Sequence, residues 1–523
     1  MPVRQRKPSE LVQQLMPLLL MGAALLVSNR YFTFVDDEVG TLNAASHPVR
    51  NMFAAFLSGS GTDLIPPLYG TLLHLWLHVS SGSFEYLRIP AVFFFLAGFF
   101  FLSRAAAKLA GPGDATTLIW LGILWPLGFH YGRLDEPDGF VFFLVAGLTL
   151  AYLRFIEKQD FARALTIFLF GATLLWSTFF GWAVLICLGA DQLLRQRAGE
   201  PVIPARVLAR TYILWTAAFI PLARPFYETF AGSVRLHQAF SARIANAALH
   251  IYNLFVSESV APWRWQLSVP AALAVLACIV LILLSPSKIS SRFLAYSAFL
   301  LMCMAVTGIF PTRRLLILAP WVLLSMVMSI GSIKSRWGRP ALAAALLMIG
   351  AIGWYGIYLR QYYSAPEFLE TWPQIAGNAA EKLQTGAGMI SNSRPLFFYL
   401  TYALRATAVG TEQKFEGFLP DSFSQPNVFT PEQWLSSGRA NLPSMIWIRG
   451  TSVQQAEPSM DAVGMELDHG CGSRESRLMM RDQGYSWKLR FLHQAAPEIW
   501  RIEIREYDCV STNSKEIFRL PAP

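Results

Sequence analysis

The sequence has no P-loop, no HExxH pair, no CxxC and no dinucleotide-binding glycine pattern in a βαβ context. These absences exclude the common nucleotide-dependent, zinc-dependent and dithiol enzymes that such motifs announce. Charge is scarce too: only 15% of the 523 residues are Asp, Glu, Lys or Arg, against roughly a quarter in ordinary soluble domains. Cysteine is limited to five residues. Internal repeats and low-complexity tracts are absent, which argues against solenoids and arrays. The formal net charge is +9, but Lys and Arg come in small groups between apolar runs. Nucleic-acid binding needs a continuous basic face, so it is excluded as the reading of that charge.

Apolar residues are what the chain has in abundance: 54% hydrophobic and 14% aromatic. A chain this apolar and this long is a polytopic membrane protein. Hydropathy predicts about eleven spans, near residues 15–27, 88–107, 116–129, 139–153, 165–176, 180–193, 207–222, 267–284, 293–310, 315–333 and 341–358. The first follows Arg4, Arg6 and Lys7 as a signal peptide would. It has no small-residue cleavage site before Asn29, so it reads as an uncleaved span.

Alternate loops carry the basic residues: Arg104 with Lys108, Arg154 with Lys158 and Arg163, Arg195 with Arg197 and Arg206, Lys288 with Arg292, and Lys334 with Arg336 and Arg339. By the positive-inside rule these loops and the N-terminus face the cytoplasm. An odd number of spans then leaves the C-terminus outside. The segment 64–79 is apolar but contains Pro66, Pro67, His74 and His78. Counting it as a span would invert the charge bias, so it reads as an interfacial helix, with Tyr69 and Trp76 at headgroup level.

On this topology the outer loops gather the unusual residues. Asp36, Asp37 and Glu38 stand in a row where the first span ends, and "HYGRLDEPDGF" supplies Arg133, Asp135, Glu136 and Asp138. A third loop, 223–265, carries Arg224, Glu228, Arg235, His237, Arg243 and Arg264, and "PTRR" adds Arg313 and Arg314. Adjacent carboxylates disfavour one another's ionisation, a cost usually tolerated where something binds. The bland alternatives are a solvated acid loop, arginines that anchor helix ends at the interface, and Asp138 as a helix-start residue.

Beyond residue 359 the composition turns polar, predicting two domains: a transmembrane domain, 1–359, with outer-face site loops, and a small extracytoplasmic α/β domain, 360–523. A helix is expected in "TWPQIAGNAAEKLQ" and strands in "SMIWIRG" and "WRIEIREYDCV". Cys187, Cys278 and Cys303 fall in spans as packing residues. Cys471 and Cys509 share the outer domain and are candidates for a disulfide in an oxidising compartment.

The order of "DDEVGTLNAA", "DLIPPLYGTLLHLWLHV", "HYGRLDEPDGFVFF" and "TRRLLILAPWVLL" resembles the GT-C class of membrane glycosyltransferases, in particular the protein O-mannosyltransferase and aminoarabinose (lipid A) transferase families. The resemblance covers roughly residues 15–333 and implies a mainly helical transmembrane bundle with a GT-C-like fold. It also implies transfer of a sugar from a polyprenyl-phosphate donor to a glycolipid, polysaccharide or protein acceptor. The family's acidic pair falls on Asp37, the implied general base, and Glu38, with Asp36 as an extra neighbour. The acidic position of its second loop falls on Asp135, with Asp138 nearby. The implied donor-phosphate cations are Arg88, Arg133, Arg264, Arg313 and Arg314.

Two positions depart from the pattern. Ile65 stands where the family commonly has His or Lys, and leucine follows Arg314 where a tyrosine is usual. No cofactor and no metal ligand set are identified, and a divalent metal is left open. The second function class is a transporter or flippase for a lipid-linked or anionic substrate, and the third a non-catalytic scaffold. Transporters place polar groups near the bilayer midplane, whereas here the acids sit at one face.

Overall fold

The computed structural model describes residues 8–29, 32, 34, 36–58, 66–80, 82–233, 240–285, 287–307, 312–333, 336–358, 372–407, 427–437, 442–452, 457–481 and 500–509. Ile65, Asp63, Arg235, His237 and the side chains of Asp36 and Arg243 lie outside them. The chain divides into a helical unit (1–32, 47–365 and 491–493) and an α/β unit (33–46, 366–490 and 494–523).

Among the described residues twenty-one α-helices follow one another. The first ten are α1 (Pro8–Ser28), α2 (Asp36–Ser46), α3 (Val49–Ser58), α4 (Leu68–Val79), α5 (Ile89–Leu109), α6 (Pro112–Leu124), α7 (Pro126–Tyr131), α8 (Pro137–Glu157), α9 (Phe161–Leu175) and α10 (Gly181–Arg197). Next come α11 (Ala205–Phe219), α12 (Ala223–Ser233), α13 (Phe240–Val256), α14 (Trp265–Leu283), α15 (Lys288–Thr307), α16 (Ala319–Ser332) and α17 (Gly338–Tyr358). The last four are α18 (Trp372–Gln384), α19 (Arg394–Thr407), α20 (Pro431–Ser437) and α21 (Pro458–Gly470). Five strands accompany them among the same residues: β1 (Gly388–Ser391), β2 (Val428–Phe429), β3 (Ser444–Ser452), β4 (Gly472–Arg481) and β5 (Trp500–Asp508).

Among the described residues of the helical unit five helices are long and apolar enough to cross a membrane: α8, α14, α15, α17, and α5 with the turn before it. Leu15–Ser28 of α1, and the whole of α9 and α16, are apolar but shorter. The run expected to span 116–129 is two helices. Trp125 is extended (φ −83°, ψ 106°) between α6 and α7, because the residue before a proline avoids the helical region and Pro126 has no N–H to donate. The segment read as interfacial does form a helix, α4, with Tyr69, Leu73 and Leu77 buried at helical spacing.

Close helix packing comes from small residues under aromatic rings. Phe95, Phe99 and Phe142 pack α5 against α8, with ring centroids 5.0–5.1 Å apart. A Cβ on Gly122 would stand 2.3 Å from the Phe99 ring, so only glycine lets α6 approach there.

A buried polar staple ties α8, α10 and α15 together. Asp191 accepts from Tyr152 Oη at 2.6 Å, Tyr296 Oη at 2.7 Å and Arg195 Nε at 2.6 Å. Arg292 holds Glu200 with two parallel bonds of 2.9 and 2.8 Å. Gln192 donates to Tyr152 Oη and accepts from the Ile203 N–H. Since every member has a partner, the staple adds specificity at little desolvation penalty.

The α/β unit is built on a five-stranded sheet of order β2-β1-β3-β5-β4. β1 runs parallel to β2 and β3, while β5 pairs antiparallel with β3 and β4. The expected helix and both expected strands are present as α18, β3 and β5. Its core includes Ile390, Met445, Trp447, Met460, Val463, Leu467 and Tyr507, and the Cys471–Cys509 disulfide packs on it. α2 belongs to this unit: the Phe34 N–H just before it donates to Tyr399 Oη at 2.7 Å, and Phe34 packs on Phe398.

Candidate functional site

The acid triplet forms the first turn of α2. Carboxylates are favoured there because the unbonded N–H groups and the helix dipole place positive potential at that end. Side chains then separate by helical position: Asp37 is exposed and Glu38 fully buried. Asn43, one and a half turns on, is buried as well, and its Oδ1 meets no hydrogen-bond donor among the described residues.

The helical unit contains a buried charged cluster of its own. Its scaffold is the loop 132–136 between α7 and α8. Glu136 is extended at the N-cap of α8, Pro137 opens the helix and Asp138 lies in its first turn, an arrangement that suits proline's fixed φ and the helix dipole. Arg133, Asp135, Glu136 and Asp138 are all buried. Isolated charges cannot be buried so, and the contacts show how they are held.

Arg133 and Arg88 grip the end of α1. Arg133 Nη1 donates to Ser28 Oγ at 3.1 Å and Nε to the His130 carbonyl at 3.4 Å, and its guanidinium lies 3.6 Å from the Phe32 ring centroid. Arg88, at the N-cap of α5, donates to the Phe32 carbonyl at 3.0 Å. Stacking on an aromatic face and a planar fork of donors are arginine properties that lysine lacks. Arg313 approaches Asp138 Oδ2 at 3.7 Å and Glu136 Oε1 at 4.0 Å. Arg314 is partly buried, and its Nε has no acceptor among the described residues. Arg264 is exposed at the start of α14 and makes none of the cluster's contacts.

Several members were not picked out from the sequence. Tyr131 Oη donates to Glu258 Oε2 at 2.7 Å, and His130 Nδ1 lies 3.1 Å from Ser257 Oγ. Ser257 adopts φ 61°, a conformation uncommon outside glycine that costs energy and recurs at functional sites. Asn253 Nδ2 donates to Thr312 Oγ1 at 3.3 Å, linking α13 to the turn that carries Arg313. Burial, then the charges of Arg133 and Arg88, hold the His130 imidazole well below its usual pKa, so it stays neutral. The sequence signal was there: Glu258 stands alone between serines in an otherwise apolar stretch, "FVSESVAPW".

Among the described residues no group of three His, Cys, Asp or Glu is placed to hold a metal. Cys471 and Cys509 form a disulfide remote in sequence from the acids, packed against the core of the α/β unit. Chemically, the cluster fixes guanidinium donors in a low-dielectric setting, where they bind an oxyanion far better than in water.

No protein-family model matches the chain, and no curated protein is similar to it in sequence. Solved structures are similar in fold. ArnT from Cupriavidus metallidurans in the apo state superposes over 94% of this chain and 97% of its own, with a TM-score of 0.52 at 12% identity. The fold is GT-C-like. ArnT of the same organism bound to undecaprenyl phosphate gives 0.48 at 11% identity over 94% and 97% of the two chains. The Archaeoglobus fulgidus oligosaccharyltransferase in complex with zinc and sulfate gives 0.42 at 10% identity over 74% and 61%. The GT-C-like architecture, a helical bundle followed by a small α/β unit, agrees with the motif order read from the sequence. Its apolar helices are those of an integral membrane protein.

Proposed function

We propose that this protein is a glycosyltransferase that moves a sugar from a polyprenyl-phosphate donor onto a hydroxyl of a glycolipid, polysaccharide or protein. The acceptor oxygen attacks the anomeric carbon, the carbon–oxygen bond to phosphate breaks, and the phosphate leaves with the electron pair. The acceptor's proton passes to a general base, for which the motif resemblance nominates Asp37, an exposed residue of the first turn of α2. Glu38 and Asp36 raise the basicity of that base, and Asp36 is also a candidate to bind the acceptor. A single displacement inverts the configuration at the anomeric carbon.

The observation that carries this reading is the burial of Arg88 and Arg133, each holding a guanidinium nitrogen on the chain at or just after the end of α1. Such cations stabilise the leaving phosphate without having to reorganise as charge develops. Arg313 and Arg314 are further candidates for that role; Arg264, exposed, is the weakest. Asp135 and Asp138 belong to the loop that holds Arg133. On the positive-inside bias the reaction faces the outside of the bacterial inner membrane, with the N-terminus cytoplasmic and the α/β unit extracytoplasmic.

The test is to incubate purified protein with radiolabelled polyprenyl-phosphate sugars and membrane extract. Label should pass into an acceptor and free polyprenyl phosphate should accumulate. Label that never leaves any such donor, while labelled lipid crosses proteoliposomes, would replace the reading with transport.

A further inference from the structure

The far end of α8 carries a different feature. Arg154 lies sixteen residues beyond Asp138 on one helix, about 24 Å along its axis. Here a cleft of about 320 Å³ opens between α5, α8 and α9. Its apolar walls are the rings of Phe101 and Phe170, and its floor is the backbone of Gly147, where an added Cβ would stand 2.2 Å from the Phe170 ring. Arg154 and Arg163 line the same cleft.

The two arginines differ. Arg163 Nη1 caps the carbonyls of Arg154 and Lys158 at 3.1 and 3.2 Å, and its Nε lies 3.7 Å from Asp160. Among the described residues its Nη2 makes no hydrogen bond. Arg154 is exposed, and none of the described carboxylates pairs with its side chain; Glu157 pairs with Lys108, and Asp160 with Lys158 and Arg163. An apolar slot with available guanidinium donors at its mouth complements a molecule with a phosphate at one end and a hydrocarbon at the other. The volume lies at the low end of small-molecule pockets, enough for a glycerophosphate and the first part of an acyl chain.

We propose that this cleft is a binding site for an anionic phospholipid of the leaflet that faces the basic loops, its phosphate held by Arg154 and Arg163 and its chain against Phe101 and Phe170. The site is separate from the transfer chemistry, so its test reads lipid binding alone. Full-length protein in a neutral detergent is titrated with phosphatidylglycerol or phosphatidylcholine, and retained lipid is counted by native mass spectrometry.

One phosphatidylglycerol should be held about tenfold more tightly than phosphatidylcholine. Arg154→Gln should erase that preference, since one charge-assisted contact to phosphate accounts for about a factor of ten. Thr166→Trp, which places bulk at the cleft from an exposed position, should abolish retention. Equal retention of the two lipids, or unchanged retention by both variants, would overturn the site. Displacement of the lipid by millimolar inorganic phosphate would overturn it as well, in favour of a free-anion site.

Discussion

Replacing Asp191 by alanine removes the hub of the polar staple. The carboxylate accepts hydrogen bonds from two tyrosine hydroxyls and from Arg195, and Arg292 lies 3.8 Å away. Alanine leaves both hydroxyls and Arg195 without that acceptor inside a packed helical layer. Breaking a buried ion pair on one side costs about 3–5 kcal/mol, most of it the desolvation of the stranded partner. Asparagine keeps an acceptor for a tyrosine but loses the charge, so about half that cost is expected.

Cys187 provides the readout. It lies one turn before Asp191 on α10, is buried, and sits beside the Tyr296 carbonyl. In a Cys278→Ser, Cys303→Ser background, maleimide reaches Cys187 only when this layer opens. If opening becomes easier by about 4 kcal/mol, labelling should accelerate roughly a thousandfold for Asp191→Ala, with Asp191→Asn between it and the parent. The reasoning is refuted if both variants label at the parent rate and melt at the parent temperature.

Reducing the Cys471–Cys509 bridge, or Cys471→Ser, frees a 38-residue separation and should destabilise the α/β unit by about 4 kcal/mol, seen as a lowered denaturant midpoint for a tryptophan signal from that unit. The hydrogen bond from Arg292 holds the Glu200 carboxyl below its usual pKa. A depressed acid contributes stability that is complete above the ordinary carboxylate range and lost as pH falls through the lowered value. Melting temperature should therefore drop in that acid window, and Glu200→Gln should flatten the drop; an unchanged acid limb counts against the pair. Arg133→Met keeps bulk but removes the donors, so transfer should fall about a hundredfold or more, while Arg264→Met should stay within about twofold; equal effects would contradict the assignment of the phosphate cations.

Much of the helical order was legible because long apolar runs and basic loops are strong, local signals. β3 and β5 were legible for the same reason: alternation and β-branched residues mark them. The break at Trp125 was readable in principle from Pro126, but the apolar run hid it. The grouping of α2 with the α/β unit was not readable, since it rests on contacts such as Phe34 with Tyr399, 365 residues apart.

Arg133, Asp135, Asp138 and Arg313 stood out as site candidates from their loops and Arg88 from the family resemblance, and all five lie in the helical unit's buried layer or at its edge. Glu258 and Asn253 were missed because their partners, Tyr131 and Thr312, stand 127 and 59 residues away in the chain. Asp191 went unremarked although an ionisable residue inside an apolar run is a standing signal of a built polar site.

The most direct measurement is the single-turnover rate of sugar transfer from a polyprenyl-phosphate donor by Asp37→Asn protein beside the parent. Loss of a general base predicts a fall of about 10²–10⁴-fold with donor binding retained. Transfer by Asp37→Asn at the parent rate would contradict the account.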